Sequence, residues 1–128
     1  MGDLWLRSIL IDHEQTTWLI DWEFAHWGKP EQDTAHLLAH LFMAAHIDAT
    51  PGAAVAARSF LEHYAAKAPT NSARSHHAIA HAACEVLSRT IGAFSDPARR
   101  DASREIAERA VTWLEDDALD LSDVLDAF

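Results

Sequence analysis

The sequence predicts an α+β domain that is mainly helical, with a short β-hairpin followed by four or five helices. Two β-prone runs, 4–11 and 17–22, are rich in Leu, Ile and Trp, and the polar segment 12–16 between them is typical of a turn. Downstream, apolar residues recur at helical spacing between breaks that contain proline or glycine. With 128 residues and 49% apolar composition, the chain is long enough to build a single domain with its own core.

The helical region begins after Gly28, where Pro30 suits a first helical turn because its missing N–H would be unpaired there in any case. The first helix has an i, i+3/i+4 apolar stripe and ends before Pro51-Gly52. That stripe consists of Leu37, Leu38, Leu41, Phe42 and Ala45.

Three further helices are predicted at about 53–67, 72–93 and 97–117, because Pro-Thr-Asn-Ser and Ser-Asp-Pro segments separate them. Residues 118–128 are an acidic tail with several apolar side chains, which we interpret as a short docking helix. The single domain therefore divides into a hairpin region (1–28), a helical region (29–117) and a tail (118–128).

An aspartate adjoins each of the two β-prone runs, with Asp3 before the first and Asp21 at the end of the second. Phosphoryl transfer uses one carboxylate to orient and deprotonate a hydroxyl and another to hold a metal on the nucleotide phosphates. An unpaired carboxylate at the end of an apolar strand would be costly if it were buried. We therefore interpret Asp21, with Glu23 nearby, as a metal-binding or hydrogen-bonding group.

These segments resemble the catalytic loop and metal-binding strand of the aminoglycoside phosphotransferase and choline kinase-like (APH) family, fungal-type branch. There the loop reads His-Gly-Asp-aromatic-Trp-Pro-Gly-Asn-Ile-Leu and the strand reads Val-Ile-Asp-Trp-Glu; this chain has Gly2-Asp3 and Ile20-Asp21-Trp22-Glu23. The family's Gly-Asp-Pro-x-x-Asp-Leu-Ala helix start corresponds to 28–35 here. Residues 2–35 carry the specific likeness, and a weaker one extends over the rest of the chain.

The resemblance implies the carboxy-terminal lobe of a protein-kinase-like fold, and ATP-dependent phosphorylation of a small-molecule hydroxyl as the ancestral reaction. It makes Asp3 the candidate catalytic base, and Asp21 and Ser8 the magnesium ligands, with Glu23 at the nucleotide. Asp33 is expected to brace the catalytic loop through backbone hydrogen bonds. Mg²⁺ and ATP are the implied cofactors if the chain is a phosphotransferase; otherwise we expect none.

The departures from the family pattern concern both the loop and the missing amino-terminal lobe. Met1 stands in place of the loop histidine and Ser8 in place of the usual asparagine, and a neutral hydroxyl is a weaker magnesium ligand than a carboxylate. No glycine-rich loop is present, and neither Lys29 nor Lys67 is placed to be the phosphate-holding lysine. We therefore expect that the chain alone is not a competent kinase.

Two other function classes stay open. His36 and His40 stand four residues apart, as do His77 and His81, so each pair places two imidazoles on one helix face. His77 and His81, with Asp3, are candidates for acid–base chemistry such as isomerisation or cyclisation. Zinc binding is a further interpretation of the spacing, although no His-Glu-x-x-His accompanies it. The remaining class is a non-catalytic, pseudokinase-type binding module.

Composition argues against several partners and places. A net charge of −10 opposes binding to nucleic acid or to an anionic membrane. No 18-residue apolar run or secretory signal is visible, and Cys84 is a lone cysteine, so no internal disulfide can form. We expect a cytoplasmic protein that acts on a small molecule.

Four of the five tryptophans lie within the first 27 residues. We expect Trp18 to pack in a hairpin–helix core. Trp5, Trp22 and Trp27, together with Leu6 and with Leu4 at the margin, are expected to form an uncovered aromatic face. Because monomers rarely leave large apolar patches in water, we predict a two-fold homodimer through this face.

Overall fold

The computed structural model describes residues 1–68, 71–92 and 95–128, and it confirms a mainly helical α+β fold in which a two-stranded antiparallel hairpin precedes the helices. The strands are β1 (Ile9–Ile11) and β2 (Thr17–Leu19). The helices are α1 (Glu31–His46), α2 (Ala53–Lys67), α3 (Ser72–Thr90), α4 (Arg100–Glu115) and α5 (Leu121–Asp126), and single 3₁₀ turns lie at Leu6–Ser8 and Pro97–Arg99.

The hairpin is shorter than the sequence predicts. Residues Leu6–Ser8 wind into a 3₁₀ turn because the Ser8 N–H donates to the Trp5 carbonyl at 3.0 Å, and the chain leaves β2 before Asp21, which has a left-handed φ of 73°. Within the hairpin, Leu10 pairs with Trp18. The turn forms as predicted, since Asp12 accepts hydrogen bonds from the Glu14 and Thr16 amides.

The prediction that Trp18 packs in a core was wrong. Its side chain is 57% exposed, and its indole N–H donates to Asp12 Oδ2 at 2.9 Å. Every residue of β2 is exposed, whereas Ile9 of β1 is partly buried against the core that α1 and α2 share, so only the first strand of the hairpin packs on the helices. A ring that is tied to the turn in this way cannot reach the helical core.

Helix α1 lies at the centre of the core and packs on both α2 and α3. Alanines of α3, such as Ala82 and Ala83, are fully buried against α1 and allow the two helix backbones to approach closely. Phe42 of α1 contacts the Trp113 ring of α4 at a centroid distance of 4.8 Å. Burying these side chains holds fixed the helix that carries Asp33, His36 and His40.

The acidic tail forms a helix and docks into the core. Asp120 caps α5 in a reciprocal capping box with Asp123, and Val124 is buried among the other helices. His46 Nε2 lies 2.9 Å from the Ala127 carbonyl, which also accepts from an Arg109 N–H. None of the helices in the described parts of the chain is long and apolar enough to cross a membrane.

Candidate functional site

The segment that leads into Asp3 is tied to the start of α1. Asp33 Oδ1 accepts from the Gly2 amide at 2.7 Å, and Oδ2 accepts from the Met1 amino group at 2.8 Å. Gln32 Nε2 donates to the Gly2 carbonyl at 2.9 Å. Three hydrogen bonds to two consecutive residues fix the direction in which the chain enters Asp3.

Gly2 allows a second loop to approach the same point. Its φ is 95°, a conformation that L side chains rarely adopt, and a Cβ atom there would lie 2.5 Å from the Phe24 carbonyl oxygen. The chain that follows Asp21 can therefore pack directly on the loop that contains Asp3. An open cleft of about 340 Å³ results, lined by Gly2, Asp3, Phe24 and His26.

The Asp3 carboxylate faces this cleft on one side and α1 on the other. Its Oδ1 lies 3.6 Å from His36 Nδ1, and the two side chains are 30% and 15% exposed. That distance is too long for a hydrogen bond, although it allows an ion pair when the imidazole is protonated. The His36 Nδ1 atom is buried and has no hydrogen-bond partner. Asp3 is thus a half-buried carboxylate beside a histidine, not a frayed terminal residue.

Ser8 and Ile20, the residue before Asp21, pair at the end of the hairpin. The Ile20 N–H donates to the Ser8 carbonyl at 2.9 Å, so the pairing extends one step beyond the strands and stops next to Asp21. The Ser8 side chain is fully buried and its hydroxyl has no hydrogen-bond partner. Asp21 and Glu23 are both exposed.

Among the residues that the structure describes, no group of three or more His, Cys, Asp and Glu side chains is placed to hold a metal ion. The histidine pairs therefore form no zinc cluster there. Mg²⁺ is less demanding, because it is usually bound by one or two carboxylates together with substrate phosphates. The exposed Asp21 carboxylate is accessible to such a nucleotide-bound ion, whereas the Ser8 hydroxyl is fully buried and has no hydrogen-bond partner.

His77 and His81 lie on α3 and face Lys29, the residue before Pro30 at the start of α1. Lys29 Nζ lies 3.2 Å from His77 Nε2. Burial lowers the pKa of His81, and the neighbouring His36, His77 and Lys29 lower it further, against an opposing effect of Glu31. The structure thus brings His81 close to His36, and His36 in turn close to Asp3.

Sequence reasoning missed Glu85, which stands four residues after His81 and four before Arg89. Its Oε1 lies 3.2 Å from His40 Nε2 and 2.8 Å from Arg89 Nε. The contact with His40, and to a lesser degree that with Arg89, holds the pKa of Glu85 at about 2 despite burial. The i, i+4 spacing from Glu85 to Arg89 was the available signal. Nothing local indicated His40 as a partner.

The predicted aromatic face is only partly as expected. Trp22 is 53% exposed and Trp27 is fully exposed, and Leu6 is also exposed. Trp5 is instead half-buried and lies against the His40 ring at a centroid distance of 5.7 Å. Trp5 and His40 line a second cleft, of about 270 Å³, in which the buried Trp5 indole N–H has no hydrogen-bond partner.

Comparison with known proteins agrees with this arrangement. A 4-hydroxytryptamine kinase from Psilocybe cyanescens is 29% identical over 82 residues, which is 58% of this chain and 23% of that protein. The matched segment therefore spans about a quarter of the relative's length. No solved structure matches the chain. The model of the phosphotransferase enzyme family, APH, matches residues 2–70. Because this match covers more than half of the chain and includes the Asp3 loop, the hairpin and Asp33, the chain belongs to the APH phosphotransferase family.

Proposed function

We propose that the chain is the carboxy-terminal lobe of a phosphotransferase that transfers a phosphoryl group to a small-molecule hydroxyl, with Asp3 as the base. The observation that carries this proposal is the convergence of two loops on Asp3. Asp33 holds the loop before it, and Gly2 admits the chain that follows Asp21. A base must lie within hydrogen-bond reach of the proton that it removes, and the cleft beside Asp3 is open to such a hydroxyl.

In this proposal Asp21 would hold the magnesium ion of ATP together with Ser8, whose hydroxyl would have to become accessible, and the exposed Glu23 would contribute to nucleotide binding. Magnesium–ATP would supply the phosphoryl group and neutralise charge on the phosphates. Asp33 does not touch the reactants; its hydrogen bonds to Gly2 keep Asp3 in place. Because the reaction needs cytosolic ATP, and the single Cys84 suits a reducing compartment, we place it in the cytoplasm.

The substrate class follows from the chemistry of the cleft and from the relative. The name of the Psilocybe cyanescens protein gives 4-hydroxytryptamine as the compound on which it acts, a small molecule with a hydroxyl group. Here the cleft beside Asp3 has an aromatic wall, Phe24, and a histidine, His26. A small hydroxyl compound with an apolar or aromatic body suits that lining.

We further propose that these 128 residues alone do not form a competent kinase. A kinase needs a lysine that holds the nucleotide phosphates. Lys29 is engaged by His77, and Lys67 ends α2. Neither forms an ion pair with Asp21 among the contacts of the described residues.

A second candidate function is acid–base catalysis by His77 and His81. The observation in its favour is the lowered pKa of His81, since this change leaves more of the neutral imidazole available as a base near neutral pH. Against it, His77 is already in contact with Lys29. A non-catalytic binding module is the outcome if neither set of residues supports turnover.

The test is a phosphate-transfer assay on the complete gene product with Mg-ATP and a panel of small alcohols and phenols. We expect Asp3→Asn and Asp21→Asn each to abolish transfer, while His77→Gln and His81→Gln retain most of it. Loss of activity in the histidine variants together with tolerance of Asp21→Asn would replace the phosphotransferase proposal with the acid–base one. Asp117→Asn, at an exposed acid between α4 and α5, serves as the matched control.

A further inference from the structure

The His26 imidazole is wedged between two glycines from different loops. A Cβ atom on Gly2 would lie 2.8 Å from His26 Nδ1 and 2.9 Å from Cε1. One on Gly28 would lie 2.9 Å from Nε2 and 3.0 Å from Cδ2. Cβ atoms rarely come so close, so a side chain on either glycine would displace the exposed His26 ring from the slot that it occupies between them.

The ring is held in this slot by a hydrogen bond. His26 Nδ1 lies 2.8 Å from the Phe24 carbonyl oxygen, and because a carbonyl can only accept, Nδ1 carries the proton. This contact selects the tautomer of the neutral ring and leaves Nε2 as the acceptor nitrogen. None of the described residues gives Nε2 a hydrogen bond.

The slot joins the parts of the chain that form the proposed active site. Gly2 immediately precedes Asp3, Phe24 follows the Asp21 segment, and Gly28 leads into the start of α1. His26 also lines both clefts beside Gly2, the one with Asp3 and another of about 230 Å³ with Lys29 and Asp33. One ring thus lies against the Asp3 loop and against the chain that leaves Asp21.

We propose that His26 is a positioning residue that sets the place of Asp3 relative to the Asp21 loop. This proposal rests on the phosphotransferase function proposed above. A misplacement of about 1 Å can cost about 100-fold in rate, because the reacting groups lose their near-attack geometry. His26→Ala is therefore expected to lower kcat by about 100-fold while the KM for ATP stays within about two-fold.

A double-mutant cycle between His26 and Gly28 tests whether the ring acts by occupying the space beside Gly28. Gly28 does not have a left-handed φ, so the obstacle to Gly28→Ala is the His26 ring. Gly28→Ala alone should lower kcat about as much as His26→Ala, and adding it to His26→Ala should cost nothing further. Additive losses would overturn the proposal. His26→Asn keeps a donor for the Phe24 carbonyl and should recover at least ten-fold of the loss.

NMR spectroscopy tests the positioning role of His26 independently of phosphate transfer. The amide resonances of Gly2 and Asp3 should shift in His26→Ala and return towards wild type in His26→Asn, and the ¹⁵N shifts of His26 should report a protonated Nδ1. The control is His63→Ala, because His63 Nδ1 also contacts a backbone carbonyl, that of Ser59 at 2.7 Å, but on α2. Absence of phosphate transfer in wild type would reject the function alone. Unmoved Gly2 and Asp3 resonances in His26→Ala, or unchanged kcat in an active enzyme, would reject the role of His26.

Discussion

Replacing Glu85 with glutamine removes one negative charge from the contact between α1 and α3, and we expect it to destabilise the fold substantially at neutral pH. The carboxylate is only 11% exposed and lies 3.2 Å from His40 Nε2 and 2.8 Å from Arg89 Nε. The His40 contact does not align as an ideal hydrogen bond, but at this distance the imidazole still favours the ionised carboxylate. Glutamine keeps the shape of the side chain and loses the charge.

The magnitude follows from the pKa of Glu85. A carboxyl group whose pKa falls from 4.5 to about 2 on folding stabilises the folded state at pH 7 by about 3 kcal/mol, since each pKa unit corresponds to about 1.4 kcal/mol. The glutamine amide recovers part of this by hydrogen bonding, so the expected loss in the free energy of unfolding is about 2 kcal/mol.

The pH dependence of this loss has a definite sign. Because folding depresses the pKa, the stabilisation is complete above about pH 4.5 and is lost as the pH falls towards 2. The difference between wild type and Glu85→Gln should therefore shrink by about 1.4 kcal/mol between pH 7 and pH 3.5.

Urea unfolding followed by far-ultraviolet circular dichroism measures both quantities, provided that the slope m is unchanged. The matched control is Glu105→Gln, because Glu105 also pairs with an arginine four residues later, at 3.1 Å, but is 68% exposed. Its loss should stay below about 0.5 kcal/mol. Equal effects of the two substitutions at pH 7, or a Glu85→Gln effect that does not change with pH, would refute the reasoning.

Three further outcomes are expected. The 128-residue polypeptide alone should bind Mg-ATP with a Kd weaker than about 10 µM, because neither Lys29 nor Lys67 forms an ion pair with Asp21, the proposed magnesium ligand, among the described contacts; calorimetry showing tighter binding than about −7 kcal/mol would contradict this. We propose that the chain pairs as a two-fold homodimer through its exposed aromatic face, since aromatic anchors dominate the energetics of interfaces of about 800 Å² per partner. Light scattering should show a dimer, and the double substitution Trp22→Ser with Trp27→Ser should dissociate it. A 14.2 kDa monomer at every concentration would contradict the proposal. Val124→Ala, at a 3% exposed site in α5, should cost about 2 kcal/mol in urea unfolding, whereas Val55→Ala, 72% exposed, should change stability by less than about 0.5 kcal/mol.

The sequence by itself determined the features that depend on neighbouring residues. The bounds predicted for α2, 53–67, are those of the structure, because Gly52 can adopt the left-handed conformation required immediately before α2. Asp12 forms the predicted turn because its carboxylate reaches amides two and four residues ahead. The order of strands and helices and the family motifs could also be predicted, because they too depend on residues that are close together in the sequence.

Only the tertiary structure decided which of these residues meet. Trp18 lies outside the core although its strand is apolar, because β2 packs on no helix. Asp3 meets His36, and Glu85 meets His40, across 33 and 45 residues of chain respectively, through the packing of the Asp3 loop and α3 on α1. A sequence pattern records periodicity within an element, whereas the helix packing that brings distant side chains within 4 Å depends on the volumes of buried residues contributed by several elements at once.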